Sequence, residues 1–141
     1  MGSRRKGRIE AVCLLFQMDV CKNFDQVETV IERHFAHLAP ESTPETRTFS
    51  EALCRGVVEK LEYIDEIIES SSTNWRMERM SEADRNILRL ATYELSMNSD
   101  LAPQIIINEA IELGKMFGSE ESSGFINGVL DGVLRKLGVR G

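Results

Sequence analysis

Apolar residues recur along this chain at helical spacing, and strand-like alternation never lasts more than a few residues. Ala11, Leu14, Leu15 and Met18 follow i, i+3, i+4, i+7 and predict a first helix from about Arg5 to Val20. A stripe of Phe24, Val27, Ile31, Phe35 and Leu38 predicts a second, opened by Asn23 and Gln26 in the pattern of a capping box. It ends at Leu38-Ala39-Pro40, because the residue before a proline avoids helical backbone. Thr43-Pro44-Glu45 has the order of an N-cap, an N1 proline and an acidic first turn. The third helix predicted from there runs to about Ser70, with Phe49, Leu53, Val57, Leu61, Ile64 and Ile68 facing inward. Ser81-Glu82-Ala83-Asp84 is a second capping start, for a helix burying Ile87, Leu88, Ala91 and Leu95. Asn98-Ser99-Asp100 breaks the pattern, and Pro103 begins a fifth helix carrying Ile106, Ala110, Leu113 and Phe117, with Gly118 as its C-cap. The last helix carries Ile126, Val129, Leu130, Val133 and Leu137 and stops at Gly138.

Six main helices and no strand predict an all-α fold. The polar run from Ser70 to Asn74 is the natural seam. It divides the chain into an N-terminal half, 1–72, and a C-terminal half, 73–141, which together make one domain. A chain of 141 residues, 42% hydrophobic and 28% charged, is long enough to bury a core without disulfides or metal. No apolar run approaches the roughly 20 residues of a membrane span, and the start has no signal-peptide apolar core. A cytoplasmic protein with no membrane partner is expected. Cys13, Cys21 and Cys54 are odd in number and lack CxxC spacing, so buried reduced thiols are expected.

Charge changes the picture at one end only. Four of the six residues from Ser3 to Arg8 are basic: Arg4, Arg5, Lys6 and Arg8. The chain carries −6 overall, and without these four cations it would carry −10. An acidic body with a cationic tip does not coat nucleic acid with its whole surface, but it permits local anion binding. Cations at a helix start oppose the helix dipole, which points to a use for them; a frayed, solvated terminus accounts for them equally well.

Other candidate chemistry is thinner. His34 and His37 are three residues apart with nothing nearby to complete a ligand set, so they are expected at the surface or its boundary, and no metal is expected. Glu62, Asp65, Glu66, Glu69, Glu109, Glu112, Glu120 and Glu121 are expected on solvated helix faces. Ser119-Glu120-Glu121-Ser122 has the composition of a helix start. No GxSxG, P-loop, HExxH or GxGxxG occurs, so neither an enzyme nor a cofactor is expected. Trp75 and Tyr93 are expected to pack. Phe125, after Gly124 near the start of the last helix, either packs between helices or presents a ring on which a base stacks.

Several motifs together resemble the NusB family. They are Trp75 with Arg79 and Ser81; Asp84-Arg85-Asn86-Ile87-Leu88-Arg89-Leu90-Ala91-Thr92-Tyr93-Glu94-Leu95; Ile107-Asn108-Glu109-Ala110-Ile111-Glu112-Leu113; and Phe117 to Ser122 leading to Phe125-Ile126-Asn127-Gly128-Val129-Leu130-Asp131. Arg4-Arg5-Lys6-Gly7-Arg8 with Ala11 and Leu15-Phe16 adds the first helix. The resemblance covers nearly the whole chain and is weakest from about Cys21 to Thr48. It implies two small three-helix bundles packed into one helical domain. It implies an antitermination factor that binds single-stranded boxA-type RNA of ribosomal RNA leaders together with NusE, a small-subunit ribosomal protein. Other Nus factors and RNA polymerase are then indirect partners. By the same resemblance Arg4, Arg5, Lys6 and Arg8 contact RNA, Glu121 and Phe125 lie at the RNA surface, and Asp84 faces NusE. Lys6 stands where the family often has arginine, and Phe16 where it often has tyrosine. The state is a monomer or a homodimer. Two alternatives are a helical interaction or homodimerisation module without RNA binding, and the RNA-binding half of a methyltransferase; the chain holds no glycine-rich cofactor site for the latter.

Overall fold

The computed structural model describes residues 2–72, 76–97 and 100–138. Trp75, Asn98 and Ser99, weighed above, lie outside the described residues. Seven α-helices follow one another: α1 Ser3–Cys21, α2 Val27–Arg33, α3 Pro44–Glu59, α4 Leu61–Ser71, α5 Glu82–Ser96, α6 Pro103–Phe117 and α7 Ser122–Leu137. No strand occurs among the described residues, as the periodicity predicts. No helix among them is long and apolar enough to cross a membrane.

Local chemistry accounts for several boundaries. Thr43 accepts a hydrogen bond from the Thr46 N–H ahead of Pro44, and Ser81 accepts one from the Asp84 N–H. Both fill donors that a helix start leaves unpaired. Gly138 closes α7 with φ 70°, a left-handed conformation that glycine adopts without a Cβ penalty. Gly118 closes α6 for a different reason. Its φ is −100°, but a Cβ there would lie 2.1 Å from Ser122 Oγ and 2.9 Å from the Gly114 carbonyl oxygen.

Three expected elements differ. The long third helix is two helices, with Lys60 at φ −109°, ψ 21° between them; the apolar stripe continues across the bend, so periodicity alone does not reveal it. Asn23 makes no side-chain cap; a 3-10 turn at Phe24–Gln26 comes first, and α2 then passes into a π-helical turn, His34–Leu38. No side chain caps α7, which follows Glu121; the Ser119 N–H instead donates to Ser122 Oγ at 2.9 Å.

Helix α5 is the axis of the molecule. It packs against α1, α3, α4, α6 and α7, and every residue from Asn86 to Leu95 is buried. One hydrophobic cluster draws Leu14, Leu15 and Met18 of α1 together with Ile64 and Ile68 of α4, Ile87 and Leu88 of α5, and Ile126 and Leu130 of α7. Polar residues on so buried a helix need partners. Asn86 and Arg89 donate to Asp19 of α1 at 2.9 and 3.2 Å, and Arg89 also makes two bonds to Asp65 of α4, at 2.8 and 2.9 Å. Arg85 donates to Asp19 at 2.7 Å and to the carbonyls of Met77 and Met80. That ties the 3-10 turn Met77–Arg79 to the start of α5. Tyr93 packs as expected, its ring laid over Gly56 of α3.

Cys54 is buried, Cys13 half-buried and Cys21 exposed, which corrects the expectation of three buried thiols. Burial pushes the Cys54 thiol up to about 12 and the Cys13 thiol, also beside Glu10, up to about 11. Both are protonated at neutral pH and poorly nucleophilic.

Candidate nucleic-acid interface

α1 begins without a side-chain cap and without an acidic residue in its first turn. The compensation comes from elsewhere in the fold. Arg5 donates twice to Glu109 of α6, from Nε at 3.2 Å and from Nη2 at 2.6 Å. Arg8 donates twice to Glu94 of α5, at 2.9 and 2.8 Å, and its Nη1 lies 3.8 Å from Glu109. Forked pairs of this kind fix orientation as well as charge. The hydrogen bond from Arg5 holds the Glu109 carboxyl below its ordinary value, with the charges of Arg5 and Arg8 adding to it.

The four expected RNA-contacting cations are therefore unequal. Arg8 is only 4% exposed and its guanidinium is satisfied by carboxylates. It is a structural clamp joining α1 to α5. The Arg5 side chain is 41% exposed despite its pair. Arg4 and Lys6 are exposed. The Arg4 guanidinium lies 4.3 Å from the centre of the Phe49 ring of α3, and that of Arg8 lies 5.4 Å from it. Phe49, expected in the core, is only half-buried at the edge of this tip.

A second cluster lies where α5 starts and α6 turns into α7. A groove of about 240 Å³ is lined by Arg79, Met80, Ser81, Asp84, Ser119, Glu121 and Phe125. It brings together Asp84, Glu121 and Phe125, three of the residues singled out in the sequence, and adds the exposed cation Arg79. Phe125 is half-buried and packs against the core, so its ring is both a helix contact and part of the groove wall.

A larger groove of about 500 Å³ adjoins the first turn of α5 from the other side. Its lining includes Cys13, Phe16, His34, Leu38, Ala83 and Phe117. Phe16, Leu38 and Phe117 are all exposed large apolar side chains. His34 is buried in its wall rather than at the surface, a second correction: its Nε2 lies 2.7 Å from Glu10 and its Nδ1 2.9 Å from Gln17. Local spacing does not disclose this, because the partners, Glu10 and Gln17, belong to α1 and not to the helix that carries His34. His37 is exposed, and no group of three metal-ligating side chains occurs among the described residues.

The two ends belong to one face. Arg5 pairs with Glu109 at one end of α1 and α6, and Phe16 and Phe117 line the same groove at the other. Phe16 lies eleven positions after Arg5, about three turns and 16 Å along the helix axis, on the same side of α1. The face is cationic where α1 starts and apolar where α6 finishes.

Relatives with this fold and sequence are well represented. The protein is 44% identical over 138 residues to the transcription antitermination protein NusB of Anaeromyxobacter dehalogenans strain 2CP-1, spanning 97% of this chain and 94% of that protein. It is 41% identical over 137 residues to that of Myxococcus xanthus, spanning 97% and 98%. A solved structure of T. maritima NusB superposes with a TM-score of 0.84 at 34% identity, covering 94% of this chain and 91% of the other. A complex of the antitermination factors NusB and NusE with double-stranded RNA shares the fold with a TM-score of 0.79 at 24% identity, covering 96% and 98%. The NusB family model matches residues 5–135, from the first paired arginine to the last turns of α7. The chain therefore belongs to the NusB family, whose members are transcription antitermination factors and not enzymes.

Proposed function

We propose that this protein binds single-stranded boxA-type RNA of ribosomal RNA leader transcripts together with NusE, and through that complex suppresses termination by RNA polymerase in the cytoplasm. The observation that carries the reading is the start of α1, where Arg4 and Lys6 are exposed and Arg5 is only partly paired with α6, on a helix whose far end lines an apolar groove with Phe117. Arg4 and Lys6, with the exposed edge of Arg5, take the phosphate backbone; Arg8 holds the helix that presents them. Phe125 stacks on a base, and Glu121 accepts hydrogen bonds from base-edge N–H donors rather than meeting phosphate. Asp84 faces NusE, and the neighbouring groove at Phe16 and Phe117 receives that protein's apolar side chains. A NusB protein of the same fold has been seen assembled with NusE and double-stranded RNA, which supports NusE and RNA as the classes of partner.

Three phosphate contacts give a log–log salt slope of about −2 for a single strand. The test is a titration of boxA RNA against a scrambled RNA at two salt concentrations, with and without NusE. The expected result is preference for boxA, tightened by NusE, with the slope reduced by about 0.7 each in Arg4→Ala and Lys6→Ala. Equal binding to both RNAs under every condition would sink the reading.

A second reading has its own observation. Three exposed large apolar side chains around one groove fit a homodimerisation or protein-interaction surface that needs no RNA. Sedimentation of wild type and Phe16→Ser separates the two. A dimer lost in the variant, with RNA bound by neither protein, favours this second reading.

A further inference from the structure

We propose that Phe49 is a second base-stacking platform, next to the cationic tip and separate from Phe125, and that Arg4 is the movable cap that closes over it. The inference rests on the RNA-binding reading and names a residue which that reading does not use. Three observations carry it. First, Phe49 is laid directly against α1: a Cβ on Gly7 would lie 2.5 Å from Phe49 Cδ2, so only a glycine lets the ring sit this close to the helix backbone. The ring is thereby backed by a rigid element. Second, a cleft of about 530 Å³ opens beside it, lined by Ser3, Arg4, Pro44, Glu45, Thr48 and Ala52 with Phe49 itself. That is more than enough room for one planar base. Third, the guanidinium of Arg4 lies 4.3 Å from the ring centre, on an exposed side chain with no ion pair among the described residues.

An exposed cation–π contact is weaker than the stack of a base on an aromatic ring, so a base can replace Arg4 on Phe49. The released guanidinium then lies on the outer face of the base or on the adjoining phosphate. Glu45 in the cleft wall repels phosphate and accepts hydrogen bonds from base N–H groups, which directs the base, not the backbone, inward. The ligand class is an unpaired nucleotide next to the segment whose phosphates meet Arg4 and Lys6.

The experiment titrates a 5′-labelled single-stranded boxA RNA against wild type, Phe49→Leu and Phe49→Tyr, each checked for folding by thermal melting. Ultraviolet cross-linking of the wild-type complex is then read by mass spectrometry. Phe49→Leu is expected to weaken binding about fivefold or more with the salt slope unchanged, and Phe49→Tyr to bind within about twofold of wild type. A nucleotide adduct is expected on Phe49. A folded Phe49→Leu protein that binds within about twofold of wild type overturns the platform while leaving the RNA-binding reading intact. A wild-type protein that binds no RNA overturns both. If Phe49→Leu fails to fold, the cross-link decides: an adduct on Phe49 supports the platform, and adducts confined to other residues overturn it.

Discussion

Arg8 and Glu94, 86 positions apart in the chain, are joined by two hydrogen bonds of 2.9 and 2.8 Å with both side chains more than nine-tenths buried. The pair fastens the basic start of α1 to the central helix, so the tip is presented on a fixed base. Removing one partner leaves a buried charge without its counterion, which costs about 3–5 kcal/mol. Arg8→Ala is therefore expected to lower the thermal midpoint sharply, and Arg8→Met combined with Glu94→Leu to recover most of the loss. A wild-type melting temperature for Arg8→Ala would show that the clamp is not structural.

In the proposed RNA footprint Glu109, which accepts two hydrogen bonds from Arg5, is the competitor of phosphate for that guanidinium. The pair is only partly shielded from water, so the contest is adjustable. Replacing the carboxylate with an amide, Glu109→Gln, leaves a weaker partner and returns one positive charge to the tip. RNA affinity is expected to rise and the log–log salt slope to steepen by at most about 0.7, as Arg5, shared with Glu109 in the wild type, neutralises its phosphate fully. An unchanged slope would place Arg5 outside the RNA footprint.

Acid stability follows from Asp19. Burial pushes its carboxyl up, but hydrogen bonds from Arg85 and Asn86, with the charges of Arg89 and Arg85, outweigh this and leave it below the ordinary value. A carboxyl depressed in the folded state contributes stability that is present above its unfolded pKa, about 4, and is lost as pH falls through the lower folded value. Asp19→Asn is thus expected to unfold at lower urea than wild type at pH 7, with the gap closing below about pH 4. A gap that stays constant from pH 7 to pH 3 would contradict this account.

Two glycines of α7 are expected to respond in opposite directions to alanine. At Gly132 a Cβ would lie 2.8 Å from the backbone carbonyl oxygen of Ser71, where α4 ends against α7. Backbone cannot swing aside, so Gly132→Ala should destabilise by about 1–3 kcal/mol. At Gly128 nothing lies within 4 Å, and Gly128→Ala should stabilise by roughly 0.5–1 kcal/mol through helix propensity alone. Urea midpoints of the two variants check both signs.

Helices α1, α6 and α7 were legible because each buries a stripe of apolar residues over several turns, a signal carried within a short window; α5 was legible from its cap and apolar spacing, although it is buried all round from Asn86 to Leu95. Thr43 and Ser81 were legible as caps because a cap bonds a backbone N–H only three residues away. The bend at Lys60 escaped notice because Val57, Leu61, Ile64 and Ile68 keep an unbroken stripe across it. The burial of His34 escaped because its partners, Glu10 and Gln17, belong to another helix.

The same division runs through the candidate interface. The order of charges along the chain established an acidic body with four cations clustered at its start, and motif spacing established its family, since both are properties of order along the chain. Which of those cations meet solvent was decided only by the fold. Arg5 and Arg8 find their carboxylates 104 and 86 positions away, brought within hydrogen-bond reach by the packing of α1 against α5 and beside α6. Electrostatic pairing depends on distance in space, and no local pattern in the sequence encodes a distance that tertiary packing sets.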